Sequence, residues 1–231
     1  MKKYLLFIIL TLTILNAAKA QDASTETTKI KKPKSKQERF IMDIGLDSWM
    51  KMPSNISTQW AKSRRFEFYF MKDKAFAHGH LGIAYGLGMS FTNVNSNATY
   101  SGSTDSLVPY QGISPSQNKL STNYLEIPLE LRFRTSPLHN GNRLKLAVGA
   151  KAGWLMQEHL KFEDGSVKEK FFNDSNVNPL RFAYTGRIGY GKFSLMGYYG
   201  INALYKNGNG NKIIPFGVGI AFTPHIGGVT D

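Results

Sequence analysis

Residues 124–135, YLEIPLELRFRT, place Leu125, Ile127, Leu129, Leu131 and Phe133 on one parity and Glu126, Glu130, Arg132 and Arg134 on the other. Period-two alternation is the signature of a strand with two unlike faces, and alone it fits a soluble sandwich as well as a membrane barrel. The pattern recurs along the chain and predicts eight strands, at 40–50, 63–71, 80–93, 122–135, 143–157, 180–190, 193–204 and 212–223. The connections 51–62, 94–121, 158–179 and 205–211 are long and the three between them short. The shortest is Gly191-Lys192, a two-residue hairpin signal. Long loops alternating with short turns, on an even strand count, are the mark of an all-β, eight-stranded antiparallel up-and-down transmembrane β-barrel. Such a barrel has its loops outside the cell and both termini in the periplasm.

Strand parity tells which row faces lipid. At 81–92, Leu81, Ile83, Tyr85, Leu87, Met89 and Phe91 oppose Gly82, Ala84, Gly86, Gly88, Ser90 and Thr92; at 213–222, Ile214, Phe216, Val218, Ile220 and Phe222 oppose Ile213, Pro215, Gly217, Gly219 and Ala221. A row of glycines and alanines with scattered charges cannot form an oily core, so the bulky row is expected to face the membrane. The interior then receives Asp43, Asp47, Glu67, Glu126, Glu130, Arg132, Arg134, Lys145, Lys151, Arg181 and Arg187. Eight strands enclose only enough room for side chains, and charges buried there must be paired. Two readings follow, a salt-bridged plug and a narrow ion or solute path. Pro128, on the inward row, removes one ladder hydrogen bond and suggests a bulge or bend. Trp154 and Tyr205 at the loop ends, with Tyr190 and Phe222 at the turn ends, are expected to form interfacial girdles. The second strand is the weakest, its outward row apolar only at Phe66, Phe68 and Phe70.

The N-terminus adds a compartment. Lys2 and Lys3, an apolar run from Tyr4 to Leu15, and Ala18-Lys19-Ala20 before Gln21 read as a cleaved secretory signal over residues 1–20. No later run is long enough for a transmembrane helix. The chain has no cysteine, which excludes a disulfide framework and an acylated-cysteine anchor. Of the net charge of +13, the signal carries +3 and residues 21–39 another +3. That second segment reads as a basic, flexible periplasmic linker, with binding to an acidic polymer or to headgroups as the alternative. Residues 40–223 form the barrel and 224–231 a short tail. Export removes the chain from nucleic acid; outer-membrane lipid and the barrel-assembly machinery are the expected partners, and no cofactor is implied.

Catalytic signals are weak. His78 and His80 flank a turn, His139 lies in another, His225 is in the tail, and His159 alone falls near an outer loop, with Glu158 or Asp164 as candidate neighbours. The pair His78/His80 is too few ligands for a metal site.

The segment YLEIPLELRF resembles the Tyr-Leu-Glu-Ile-Pro-Leu strand of the PorT-like outer-membrane β-barrel proteins of Bacteroidetes, and LGIAYGLGMSF and VGAKAGW are similar to neighbouring strands there. PFGVGIAF resembles the closing-strand signal read by the barrel-assembly machinery, with Gly217, Ile220 and Phe222 in matching positions; Pro215 and the residues after Phe222 depart from it. The resemblance implies an integral outer-membrane barrel, and its namesake branch implies an envelope or secretion-system partner. A structural or assembly-associated barrel is the favoured reading, with a small pore and a lipid-A-modifying enzyme as alternatives.

Overall fold

The computed structural model describes residues 39–101, 106–109, 117–139, 141–165, 167–172, 176–206 and 212–224, so the expected signal, most of the basic segment and most of the tail lie outside the described residues. The strands are β1 (Phe40–Met50), β2 (Arg64–Phe76), β3 (Leu81–Asn95), β4 (Ala98–Ser101), β5 (Ser106–Pro109), β6 (Gln117–Arg134), β7 (Leu144–Asp164), β8 (Val167–Phe172), β9 (Leu180–Tyr190), β10 (Phe193–Gly200) and β11 (Ile214–Phe222). Eight of them, β1, β2, β3, β6, β7, β9, β10 and β11, pair antiparallel in a ring that closes through β1 against β11 and β6 against β7. Among the described residues β8 pairs only with the far end of β7, and β4 and β5 pair antiparallel as a separate two-stranded sheet.

Orientation follows the expected parity. Along β6, Leu125, Ile127, Leu129, Leu131 and Phe133 are exposed on the outer wall, whereas Glu126, Pro128, Glu130, Arg132 and Arg134 are buried inside. The outward rows of the other strands continue the band, with Ile44, Phe70, Leu87, Val148, Tyr184, Leu195 and Ile220 all exposed. A contiguous apolar surface this extensive is untenable in water and natural in hydrocarbon.

Several local expectations are corrected. The second strand runs to Phe76, because Lys72 and Lys74 on its outer row do not interrupt pairing with β3. Pairing of β6 and β7 continues past the apolar band to Gln117 and Glu163, into segments expected to be loop. Pro128 causes no bulge. The ladder from β3 to β6 lapses between Tyr85–Leu129 and Gly88–Glu126 and resumes in the same register; the irregularity lies at Asn123/Tyr124, where Leu155 and Gln157 are the partners and Met156 is the extra residue. Tyr205 is not a girdle residue: β10 ends at Gly200, and Tyr205 is buried with its ring edge-on to Trp49 at 6.4 Å. Trp154 and Tyr190 do face outward.

Candidate functional site in the barrel lumen

The inner wall is thin because its residues are small, and this admits long charged side chains. A Cβ at Gly217 would collide with Asp47 Oδ1 and Arg65 Nη1; one at Gly45 would lie 2.7 Å from Arg65 Nη2 and one at Gly219 3.0 Å from it. Three glycines on neighbouring strands β1 and β11 thus form the surface on which the Arg65 guanidinium lies.

Arg65 heads the larger of two charge clusters. Its Nη2 is 2.6 Å from Asp43 Oδ1, its Nη1 2.6 Å from Asp47 Oδ1 and its Nε 3.4 Å from Glu67 Oε1. Glu67 Oε1 also accepts from Lys151 Nζ at 2.6 Å and from Ser90 Oγ at 2.9 Å. Lys151 Nζ continues to Glu126 Oε2 at 3.1 Å, and the same carboxylate pairs with Arg181 through Oε1. Tyrosines complete the shell: Tyr69 OH donates to Glu126 Oε2 and Tyr198 OH to Asp47 Oδ2 at 2.6 Å. The Tyr198 ring lies 4.6 Å from Lys151 Nζ and 4.8 Å from Arg65 Cζ, and the Tyr124 ring 4.2 Å from Arg181 Cζ.

A second cluster lies nearer the turn end. Glu130 Oε2 meets Arg132 Nε at 2.7 Å and Arg187 Nη2 at 2.9 Å; Asp73 Oδ2 accepts from Arg132 Nη1 at 3.1 Å and pairs with Arg134. Between the clusters lies an apolar group, Ile41, Tyr69, Met71, Ala84, Met196 and Ala221. Beyond the first cluster, Trp49, Val94, Leu120, Tyr124, Leu204 and Ile213 belong to an apolar core at the loop end. The group around Ile41 borders both clusters: Tyr69 belongs to the first through Glu126, Ala84 shares its rung with Asp73 and Glu130 of the second, and Lys151, Glu130 and Arg187 line the same void as Met71 and Met196. The first cluster sets four acids, Asp43, Asp47, Glu67 and Glu126, against three bases; the second sets two acids, Asp73 and Glu130, against three. Their formal charges cancel across the pair. Voids beside Arg134 and Arg187, beside Met71 and Met196, and beside Asp47 and Trp49 each hold about 10 Å³, room for one water.

Of the sequence-selected lumen charges, all but Lys145 are buried. Lys145 is half-buried at the turn-end mouth, where its ammonium donates to the Gly191 carbonyl. Sequence reasoning missed Arg65, Asp73, Tyr69, Tyr124 and Tyr198. Arg65 and Tyr69 lie on the inward parity of β2, alternating with Phe66, Phe68 and Phe70, and that parity could have found them. Asp73 lay past the assumed end of the strand. In the closing strand Gly217 faces the lumen, Ile220 faces outward, and the Phe222 ring sits 5.3 Å from that of Phe193.

Among the described residues, the histidines form no metal-ligand group. His80 Nδ1 is 2.9 Å from the Arg134 carbonyl oxygen. His159 lies beyond the apolar band, its ring 5.3 Å from Phe172. Burial, with Lys119 and Lys170 nearby, holds its pKa below the ordinary histidine value. Glu158 points to the opposite, inner side of β7 and is buried, so these consecutive residues do not form a dyad.

A family described as outer membrane protein beta-barrel domain has a model that matches residues 41–206. Among solved structures, the crystal structure of Ail, the attachment invasion locus protein of Yersinia pestis, is similar at 13% identity, with 80% of this chain and 99% of that chain covered and a TM-score of 0.32. No curated protein matches the chain.

Proposed function

The chain belongs to the outer membrane protein beta-barrel domain family, and from that premise we propose that it is a sealed, non-enzymatic barrel with a structural or assembly- and secretion-associated role in the outer membrane. The observation that carries this reading is the pair of charge clusters, which fill the lumen with paired side chains from β1, β2, β6, β7 and β9 and, among the described residues, border voids of about 10 Å³. A conducting path needs mobile water along its length, and here Arg65, Lys151 and Arg181 are each fixed by carboxylates. The likeness of YLEIPLELRF to the PorT-like strand supports an envelope or secretion-system protein as partner. Gly217, Ile220 and Phe222 supply the signal for the barrel-assembly machinery during insertion.

Solute entry into liposomes tests the seal. Vesicles holding the purified barrel should swell in isosmotic small sugars no faster than protein-free vesicles; swelling that scales with protein content would replace the sealed reading with the pore. The enzyme reading has its own test, because His159→Ala should leave the mass of extracted lipid A unchanged. A changed mass with the barrel still folded would reinstate it.

A further inference from the structure

Where β6, β7 and β8 extend past the apolar band, Lys119 stands directly opposite Lys161, and Lys161 directly opposite Lys170. Their neighbours Leu120 and Leu160 turn inward to the loop-end apolar core, so the three lysines point to the outer side of the sheet. Like charges in direct cross-strand register are unfavourable unless something negative lies over them. Lys161 is partly compensated, 2.6 Å from Gln117 Oε1 and 3.2 Å from Glu163 Oε2, but Glu163 also serves Lys168 at 2.9 Å. Burial and the ammonium groups of Lys161 and Lys170 push the Lys119 amine below its ordinary pKa.

The row continues the lipid-facing wall. Moving outward from Leu125 and Trp154, which are exposed in the band, successive outer-face rungs are Asn123 with Gln157, then Ser121 with His159 and Phe172, then the three lysines. Six residues separate Lys119 from Leu125, about 20 Å along the strand and about 14 Å in height at a tilt of about 45°. Lysine stems lie along apolar surface and carry the charge toward the interface. From this placement we infer that Lys119, Lys161 and Lys170 form a docking row for the phosphate groups of anionic lipid headgroups in the leaflet around the loop end. The neutralisation of an otherwise repulsive row by lipid phosphate couples seating in the membrane to ordering of the β6–β7–β8 extension.

The inference rests on the proposed topology, with the loop end at the outer leaflet, and surface protease protection tests that separately. Full-length barrel in zwitterionic micelles is titrated with bisphosphorylated lipid A, with the same lipid dephosphorylated, and with sodium phosphate, and occupancy is read by native mass spectrometry. Wild type should prefer the bisphosphorylated lipid by about tenfold. K119Q/K161Q/K170Q should lose that preference, and K72Q/K74Q, on the outer row of β2 toward the turn end, should keep it. K119Q/K170Q, which spares the bonds of Lys161, should lose most of it and serves if the triple variant does not fold. In lipid-free micelles K119Q/K170Q, which keeps the bonds of Lys161, should unfold at a temperature no lower than wild type, because a repulsion has been removed. Unchanged preference in both lysine variants, equal occupancy by sodium phosphate, or a lower unfolding temperature without lipid would overturn the inference.

Discussion

One guanidinium, that of Arg65, meets three carboxylates out of contact with water, and the consequence of removing it is calculable in sign and size. Arg65→Ala strands Asp43 and Asp47 without their main counter-charge and should cost about 3–5 kcal/mol, read as a shift in the urea midpoint for unfolding from vesicles. Arg65→Lys should recover little, since a single ammonium cannot span carboxylates reached from Nη1, Nη2 and Nε. A loss below about 1 kcal/mol for the alanine variant would show the cluster to be solvated. Gly217→Ala should destabilise by about 1–3 kcal/mol through the clash with Asp47 and Arg65. His159 carries a pH prediction. Its folded pKa lies below the ordinary 6.5, so the unfolded chain binds the proton first and stability falls as pH drops through 6.5 toward the folded value. The NMR titration midpoint of its ring should fall below 6.5 and move up in Lys119→Gln; a midpoint above 6.5 in wild type would contradict the assigned surroundings.

At the level of strands, the alternation of large and tiny residues was enough to place β3, β6 and β11 with the correct faces, because Gly82, Gly88, Gly217 and Ala221 leave no doubt which row is the inner one. It failed where both faces stop being unlike. Past Trp154 the outer row turns polar, so the continuation of β7 to Asp164 had no periodic signal, although backbone pairing with β6 persists. The Met156 bulge also reverses parity there, which sequence alternation cannot anticipate. The charge clusters were legible only in part: the inward charges of β6, β7 and β9 stand out against glycine and alanine neighbours, and the parity of β2 marks Tyr69, whereas Tyr198 stands beside Tyr199 and looks like a lipid-facing aromatic until its register places it inside. The absence of cysteine from the chain makes a direct check of faces possible. Single cysteines placed at positions 125–133 and spin-labelled in bilayers should show high oxygen accessibility at odd positions and low accessibility at even ones. Protease added to intact cells should cut only within 94–121 or 158–179; cleavage at 136–142 would invert the topology.

For the whole molecule, the proposed seal and the stability rest on the same buried ion pairs. Outward residues gain by entering lipid, but the lumen holds twelve paired charges, Asp43, Asp47, Arg65, Glu67, Asp73, Glu126, Glu130, Arg132, Arg134, Lys151, Arg181 and Arg187, and each must be satisfied inside the wall. The charges divide into an acid-rich and a base-rich cluster with Ile41, Met71 and Met196 packed beside them, and Trp49, Val94, Leu120 and Leu204 form an apolar core at the loop end. A barrel sealed as proposed would offer its surfaces rather than its interior, which is why the proposed partners are lipid, the insertion machinery and a neighbouring envelope protein. The most direct measurement of this account is planar-bilayer recording from the purified, folded wild-type barrel. The account predicts no steady conductance above the bare bilayer across the voltage range the membrane withstands. A stable, reproducible unitary conductance that persists in the folded protein would contradict it.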